Sequence, residues 1–158
     1  MKIGVDYHGV INQNPDFFRI FNRLVLERCF ELIVLSGGSA KDVEQYLLSK
    51  NIDYTSIFSV LDDFNAKNMV TFYDDGSFFV PNEIWNRAKA NYCAQNHVDI
   101  HIDDSMLYGS YFQTPFCLYA PKVQRCTFIK KNITIDFKKP ADKVLDALIK
   151  SLNQINSK

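Results

Sequence analysis

Short apolar runs alternate along the chain with segments of helical periodicity. Five runs have the length and apolar character of buried strands, at residues 2–6, 31–36, 57–61, 98–102 and 116–120. Between them, and again from 141 to 152, apolar residues recur three and four positions apart, which indicates amphipathic helices. Strands that alternate with helices predict an α/β protein with a mostly parallel sheet.

The pattern of two other segments predicts β-hairpins. Residues 69–80, MVTFYDDGSFFV, place Asp75-Gly76 between two short apolar runs, and 127–137 turns at 130–132. The whole pattern predicts a single domain over residues 1–158. Its expected architecture is a three-layer, Rossmann-like, mostly parallel sheet with helices on both faces, plus small β-hairpin insertions.

Two helix starts carry recognisable capping residues. Asn14 precedes Pro15, a favoured residue of the first helical turn, and is expected to cap that helix. Ser39, with Asp42 three positions later, resembles a capping box at the start of the second helix.

Composition narrows the class of protein. Of 158 residues, 47% are hydrophobic, which suffices for a full core, and 18 basic residues balance 18 acidic ones. A net charge of zero provides no general attraction for nucleic acid or an anionic membrane, and no apolar run reaches the length of a membrane span. Four cysteines without a zinc-binding spacing predict reduced thiols and a cytoplasmic location.

Polar residues follow three of the predicted strands. They are Asp6-Tyr7-His8, Ser36-Gly37-Gly38 and Asp103-Asp104-Ser105. In open α/β sheets, ligands bind at the carboxyl ends of the strands. These three strand ends are therefore the expected functional site.

The carboxylates indicate a metal. Asp6 and the pair Asp103-Asp104 would converge if the first and fourth strands are neighbours, and their mutual repulsion would need a counter-charge. Oxygen ligands favour Mg²⁺. Alternatively, Asp104-Ser105 only caps the helix that follows.

The turn Ser36-Gly37-Gly38 offers a hydroxyl and unhindered backbone N–H groups before a helix, which is a potential anion site. The alternative is an ordinary strand-to-helix turn. A lysine near such a site would stabilise phosphate charge, and the candidates are Lys89 and Lys67. For either lysine, a solvated surface position is the simpler interpretation.

The order of these segments resembles a known family. IGVDYHGVI at 3–11, LIVLSGG at 32–38, Lys89, and IHIDDS at 100–105 are similar to the four motifs of the haloacid dehalogenase-like (HAD-like) hydrolase superfamily. The resemblance covers residues 1 to about 120. It implies a HAD-like domain and a Mg²⁺-dependent phosphatase that acts on a phosphorylated substrate of unknown identity.

The resemblance also implies a role for each matching residue. Asp6 would be the nucleophile that forms an aspartyl-phosphate, and the backbone carbonyl of His8 would contribute to the metal site. The phosphoryl group would be bound by Ser36, Gly37, Gly38 and Lys89. The metal would be bound by Asp103 and Asp104 together with Asp6.

His8 departs from the family pattern. Phosphatases of the family usually carry an Asp there, which protonates the leaving group and then activates water. Histidine can do acid–base work near neutral pH, so the reaction remains possible. The alternatives are a non-catalytic phosphate- or protein-binding domain with a degenerate HAD-like site and, ranked last, a receiver-like signalling domain, whose acidic pair would follow the first strand.

Access to the site follows from loop lengths. About 30 residues separate Asp6 from Ser36, too few for a large cap module, and the second cap position holds only the hairpin 69–80. Its aromatic residues are expected to form a homo-oligomer contact or to cover the pocket, unless half of them face the domain. They are Phe72, Tyr73, Phe78 and Phe79.

His101 interrupts the apolar pattern of the fourth strand, whose faces should both be apolar in a central position. We expect it to be a core histidine with a hydrogen-bond partner and not a metal ligand.

Overall fold

The computed structural model of the protein describes residues 1–157. Its nine strands are β1 (Lys2–Asp6), β2 (Glu31–Ser36), β3 (Ser56–Ser59), β4 (Thr71–Phe72), β5 (Phe78–Phe79), β6 (Ile100–Asp103), β7 (Phe116–Ala120), β8 (Arg125–Phe128) and β9 (Ile133–Asp136). The helices are α1 (Pro15–Glu27), α2 (Ala40–Ser49), α3 (Val60–Ala66), α4 (Asn82–Gln95), α5 (Met106–Gly109) and α6 (Ala141–Asn156), with a short 3₁₀ helix at Ile11–Gln13.

Seven strands form one sheet in the order β3-β2-β1-β6-β7-β8-β9. The strands from β3 to β7 in this order pair in parallel, whereas β8 and β9 add on in antiparallel fashion. The predicted α/β class and the mostly parallel sheet are confirmed.

Successive residues of the central strands are buried in different core clusters. In β2, Leu32 and Val34 belong to the larger cluster, which includes residues of α1, α2 and α6. Ile33 and Leu35 belong to a second cluster with residues of α4. Because side chains alternate across a sheet, both faces of β2 are covered, which explains its continuous apolar sequence.

Three of the predicted strands, at 2–6, 31–36 and 116–120, have the observed bounds. The prediction of a strand over 57–61 is wrong at its end. The strand is Ser56–Ser59, and the Ser59 hydroxyl accepts a hydrogen bond from the Asp62 N–H at 3.0 Å, which caps α3 and starts it at Val60. The prediction of a strand over 98–102 is also wrong in its bounds, since the observed strand is Ile100–Asp103. Val98 lies outside it because its N–H donates a hydrogen bond to the Cys93 carbonyl near the end of α4.

Both predicted hairpins are present. Segment 69–80 forms the separate two-stranded sheet of β4 and β5, with Gly76 in the left-handed region at φ +84°. Segment 127–137 contains β9 and the second half of β8, which begins two residues earlier at Arg125, and the two strands extend the main sheet beyond β7.

The two predicted caps differ in outcome. The Ser39 hydroxyl accepts a hydrogen bond from the Asp42 N–H at 3.2 Å and caps α2. The prediction for Asn14 is wrong, since its side chain makes no capping bond although Pro15 begins α1. Among residues 1–157, no helix combines the length and the apolarity that crossing a membrane requires.

Candidate functional site

The sheet order brings the polar strand ends to one edge. Strand β1 lies between β2 and β6 and runs parallel to both. Asp6, Ser36 and Asp103 are the last residues of these three adjacent strands. The first and fourth predicted strands are therefore neighbours, which is the condition under which their carboxylates converge.

Helix α4 places Lys89 between the carboxylates of Asp6 and Asp103. The Nζ of Lys89 lies 2.7 Å from Oδ1 of Asp6 and 2.8 Å from Oδ2 of Asp103, and all three side chains are buried. Lys67, the other candidate, directly follows α3 on the surface and pairs with Asp63 at 2.7 Å. Lys89 is therefore the lysine of the site, and Lys67 lies outside it.

Three donors hold the carboxylate of Asp103. Oδ2 accepts from Lys89 and lies 3.1 Å from Nε2 of His101, while Oδ1 accepts from the backbone N–H of Ser105 at 2.9 Å. The expectation that His101 is a core histidine with a partner is confirmed. Ser105 stands at the N-cap of α5, but its side chain makes no capping hydrogen bond. The Ser105 side chain therefore does not support the alternative in which Asp104-Ser105 is only a helix cap.

A third carboxylate completes the group. Asp6, Asp103 and Asp104 each offer one oxygen, and the three oxygens lie within 4.8 Å of one another. Gly9, at φ +79°, makes room for this arrangement, because a Cβ at that position would collide with the carboxylate of Asp104. The geometry fits the donor set predicted for a metal from the sequence.

The buried charges shift each other's protonation. Burial raises the pKa of Asp6 to about 7, although Lys89 acts in the opposite direction. Burial would also raise the pKa of Asp103, but the hydrogen bond from His101 and the charge of Lys89 outweigh it and lower this pKa to about 2. Burial would lower the pKa of Lys89, yet the two carboxylates outweigh it and raise this pKa. The two carboxylates that share Lys89 are therefore shifted in opposite directions, Asp6 toward the protonated form and Asp103 toward the ionised form.

His8 lies at the exposed side of the site, with its Nδ1 3.3 Å from the hydroxyl oxygen of Ser36. Partial burial lowers its pKa, and the charge of Lys89 acts in the same direction against that of Asp104. The imidazole is consequently mostly neutral at pH 7 in the metal-free chain.

The turn after β2 is less open than its sequence suggests. Ser36 is fully buried and its oxygen accepts from the Gly38 N–H at 3.0 Å. At the start of α2, the Ala40 N–H already donates to the carboxylate of Asp62 at 2.9 Å. Of the three turn residues, only Gly37 lines the cavity.

A cavity of about 390 Å³ opens at this strand edge. Tyr108 lines it with its ring 5.1 Å from Nζ of Lys89, and Trp85 lies one helical turn before that lysine. The i, i+4 spacing of Trp85 and Lys89 was a usable sequence signal, whereas nothing in the sequence marked Tyr108. The other lining residues are Asp6, His8, Gly9, Gly37, Val60, Asp104 and Ser105.

A larger groove of about 920 Å³ lies elsewhere, beside α6. Two of its charged residues, Arg28 and Asp146, pair with each other at 2.8 Å. No cluster of potential metal ligands occurs there among the residues that the structure describes.

Comparisons of the chain with known protein families, with curated proteins and with solved structures gave no match.

Proposed function

We propose that this protein is a Mg²⁺-dependent phosphohydrolase that forms an aspartyl-phosphate on Asp6, within a single HAD-like domain of three-layer, Rossmann-like architecture. One observation carries the proposal. Lys89 bridges Asp6 and Asp103 inside a polar cavity, where a buried, paired lysine can stabilise a phosphoryl group next to a carboxylate nucleophile. The order of the four sequence motifs supports the same assignment.

The donor set suits magnesium. Three carboxylates face one ammonium, which leaves a surplus of negative charge that a divalent cation would offset. The side chains of Asp6, Asp103 and Asp104 and the carbonyl of His8 would hold it. When bound, Mg²⁺ supplies charge stabilisation for the phosphoryl oxygens.

The proposed reaction has two displacements at phosphorus. An oxygen of Asp6 attacks, the bond from phosphorus to the leaving oxygen breaks, and protonated His8 gives its proton to that oxygen. Neutral His8 then takes a proton from a water whose oxygen attacks phosphorus. This step breaks the aspartyl-phosphate bond, releases inorganic phosphate and regenerates both residues.

Gly37 and Lys89 line the cavity and are the proposed first contacts of the phosphoryl group. Ser36 lies behind them, and its bond with His8 suggests that it holds the imidazole while Gly38 fixes the Ser36 hydroxyl. A direct contact from Ser36 to the phosphoryl group would require its hydroxyl to turn away from His8.

The proposal is tested by assaying hydrolysis of p-nitrophenyl phosphate with and without Mg²⁺. We expect Mg²⁺-dependent turnover that Asp6→Asn abolishes, while Asp16→Asn, an exposed aspartate of α1, leaves it unchanged. Calorimetry should show Mg²⁺ binding that Asp103→Asn abolishes. Turnover that survives in Asp6→Asn, or Mg²⁺ binding that survives in Asp103→Asn, would contradict the proposal.

One observation favours a non-catalytic phosphate-binding domain instead. His8 occupies the position where the phosphatases that the sequence resembles carry an Asp as the general acid. The lowered pKa of His8 disfavours its protonated form at neutral pH. That domain would bind inorganic phosphate with Mg²⁺ but would not hydrolyse any monoester. If wild type is inert and His8→Asp is active, the binding function replaces the enzymatic one.

The hairpin 69–80 is the proposed partner surface. Its four aromatic side chains are all exposed, and the ring of Phe78 lies 5.5 Å from that of Trp85 on the cavity wall. A second copy of the chain seated there, or a bound substrate, would cover rings that stand beside the site. The four free cysteines fit the reducing environment of the cytoplasm, where we place the protein.

A further inference from the structure

His101 is a fully buried polar side chain in a strand whose other buried residues are mostly apolar. Its Nε2 lies 3.1 Å from Oδ2 of Asp103, two positions along the same strand and hence on the same face. An ionised carboxylate can only accept hydrogen bonds, so Nε2 carries the proton and His101 is the donor.

The hydrogen bonds to the two oxygens of Asp103 show which oxygen the His101 donor leaves free. A carboxylate has about four lone-pair positions, two on each oxygen. His101 and Lys89 occupy both positions on Oδ2, and the Ser105 N–H occupies one on Oδ1. The position that stays open belongs to Oδ1.

The imidazole is held in place from two sides. On β1, Gly4 is the residue in register with His101, and a Cβ at that position would lie 2.8 Å from Nδ1 of the ring. On the other side, the ring of Phe112 stacks on the imidazole at 4.8 Å between centroids and 3° between planes. A glycine on the adjacent strand thus provides the space that this ring orientation requires.

We propose that His101 is a positioning residue that fixes Asp103 as a one-oxygen ligand of a divalent cation. By bonding Oδ2 together with Lys89, it leaves Oδ1 as the oxygen with an open acceptor position and prevents the carboxylate from rotating. The inference rests on the metal site of the proposed function, and it adds a residue that itself touches neither cation nor substrate.

The test compares two variants of similar size that differ in the donor. His101→Gln keeps an N–H that can reach Asp103, whereas His101→Met does not. We expect calorimetry to show Mg²⁺ affinity about 10–100-fold weaker in His101→Met and mostly recovered in His101→Gln, as is usual when a group that orients a metal ligand is removed. Leu148→Ala, in the core beneath α6 and away from His101, is the packing control, and it should lower thermal stability while Mg²⁺ affinity is retained.

A second measurement does not depend on the variants. The ¹⁵N shifts of the imidazole in the metal-free wild-type chain at pH 7.5 should show the tautomer with its proton on Nε2. A proton on Nδ1, or equal Mg²⁺ affinities of the Gln and Met variants, would overturn the inference alone. Wild type that binds no Mg²⁺ would overturn both the metal site and the inference. The expected order of Mg²⁺ affinities in a chain without phosphatase activity would support the inference and overturn only the hydrolase.

Discussion

The Nζ of Lys89 lies 2.7 Å from Oδ1 of Asp6, although the two residues are 83 positions apart in the sequence. The desolvation of two buried charges offsets much of their attraction, so a buried ion pair is weak evidence for a role in stability. The pair lies in a polar cavity beside two further carboxylates, where the proposed function gives it a chemical role.

Lys89→Met should destabilise the metal-free chain. The substitution leaves Asp6 and Asp103 buried without their counter-charge, which typically costs about 3–5 kcal/mol of unfolding free energy. Urea unfolding in EDTA at pH 7.5 measures it. The matched control is Lys67→Met, which removes an exposed lysine and should change the unfolding free energy by less than about 0.5 kcal/mol. Equal effects of the two substitutions would show that the Lys89 pair is not a buried ion pair in solution.

His8→Ala should slow the hydrolysis of alkyl phosphates about 10²–10⁴-fold, since a general acid contributes that much when the leaving group is poor. Activated aryl phosphates should be affected less, because they leave without full protonation. Steady-state rates with one substrate of each type measure the difference. His8→Asp should keep or raise activity. Wild-type rates in His8→Ala with both substrates would exclude His8 as the acid.

The double substitution Phe72→Ser, Phe79→Ser removes two exposed rings from the hairpin. We expect a lower sedimentation mass or a raised KM, depending on whether a second copy or the substrate covers this surface. Leu48→Ser is the control, because Leu48 is similarly exposed at 64% but lies on α2. A folded double variant with the mass and KM of wild type would leave the hairpin without either role.

Thiol reactivity should separate the cysteines. Cys29 is exposed, whereas burial raises the pKa of Cys93 to about 12 and also raises that of Cys126, so these thiols stay protonated at pH 8. Cys117 is buried as well. An aromatic disulfide reagent should therefore modify one thiol in the native chain and four in denaturant. Cys29→Ser should reduce the native count to zero, and a native count above one in wild type would contradict the described core.

Features that depend on local pattern could be predicted from the sequence. The bounds of β1, β2 and β7 follow from apolar runs, the Ser39 cap from its spacing to Asp42, and the hairpin at 69–80 from Asp75-Gly76. These elements depend on backbone geometry and turn chemistry within about ten residues, so the sequence carries the information directly.

Other local features were misread because a distant contact or a competing short motif prevailed. The strand predicted to continue to residue 61 stops at Ser59, whose hydroxyl both caps α3 and donates to the Gly38 carbonyl at 2.7 Å. The start of α2 looked free to bind an anion, yet Asp62 occupies the Ala40 N–H. Both contacts join segments about twenty residues apart, which periodicity does not reveal.

The residue types at the strand ends can be read from the sequence, since Asp6 and Asp103 each close an apolar run. That these ends meet, that Lys89 and not Lys67 lies between them, and that His101 contacts Asp103 all depend on the folded structure. A solvated lysine and a buried one look alike in a sequence. What separates them is the order of strands in the sheet and the packing of α4, which arise from contacts between residues far apart along the chain.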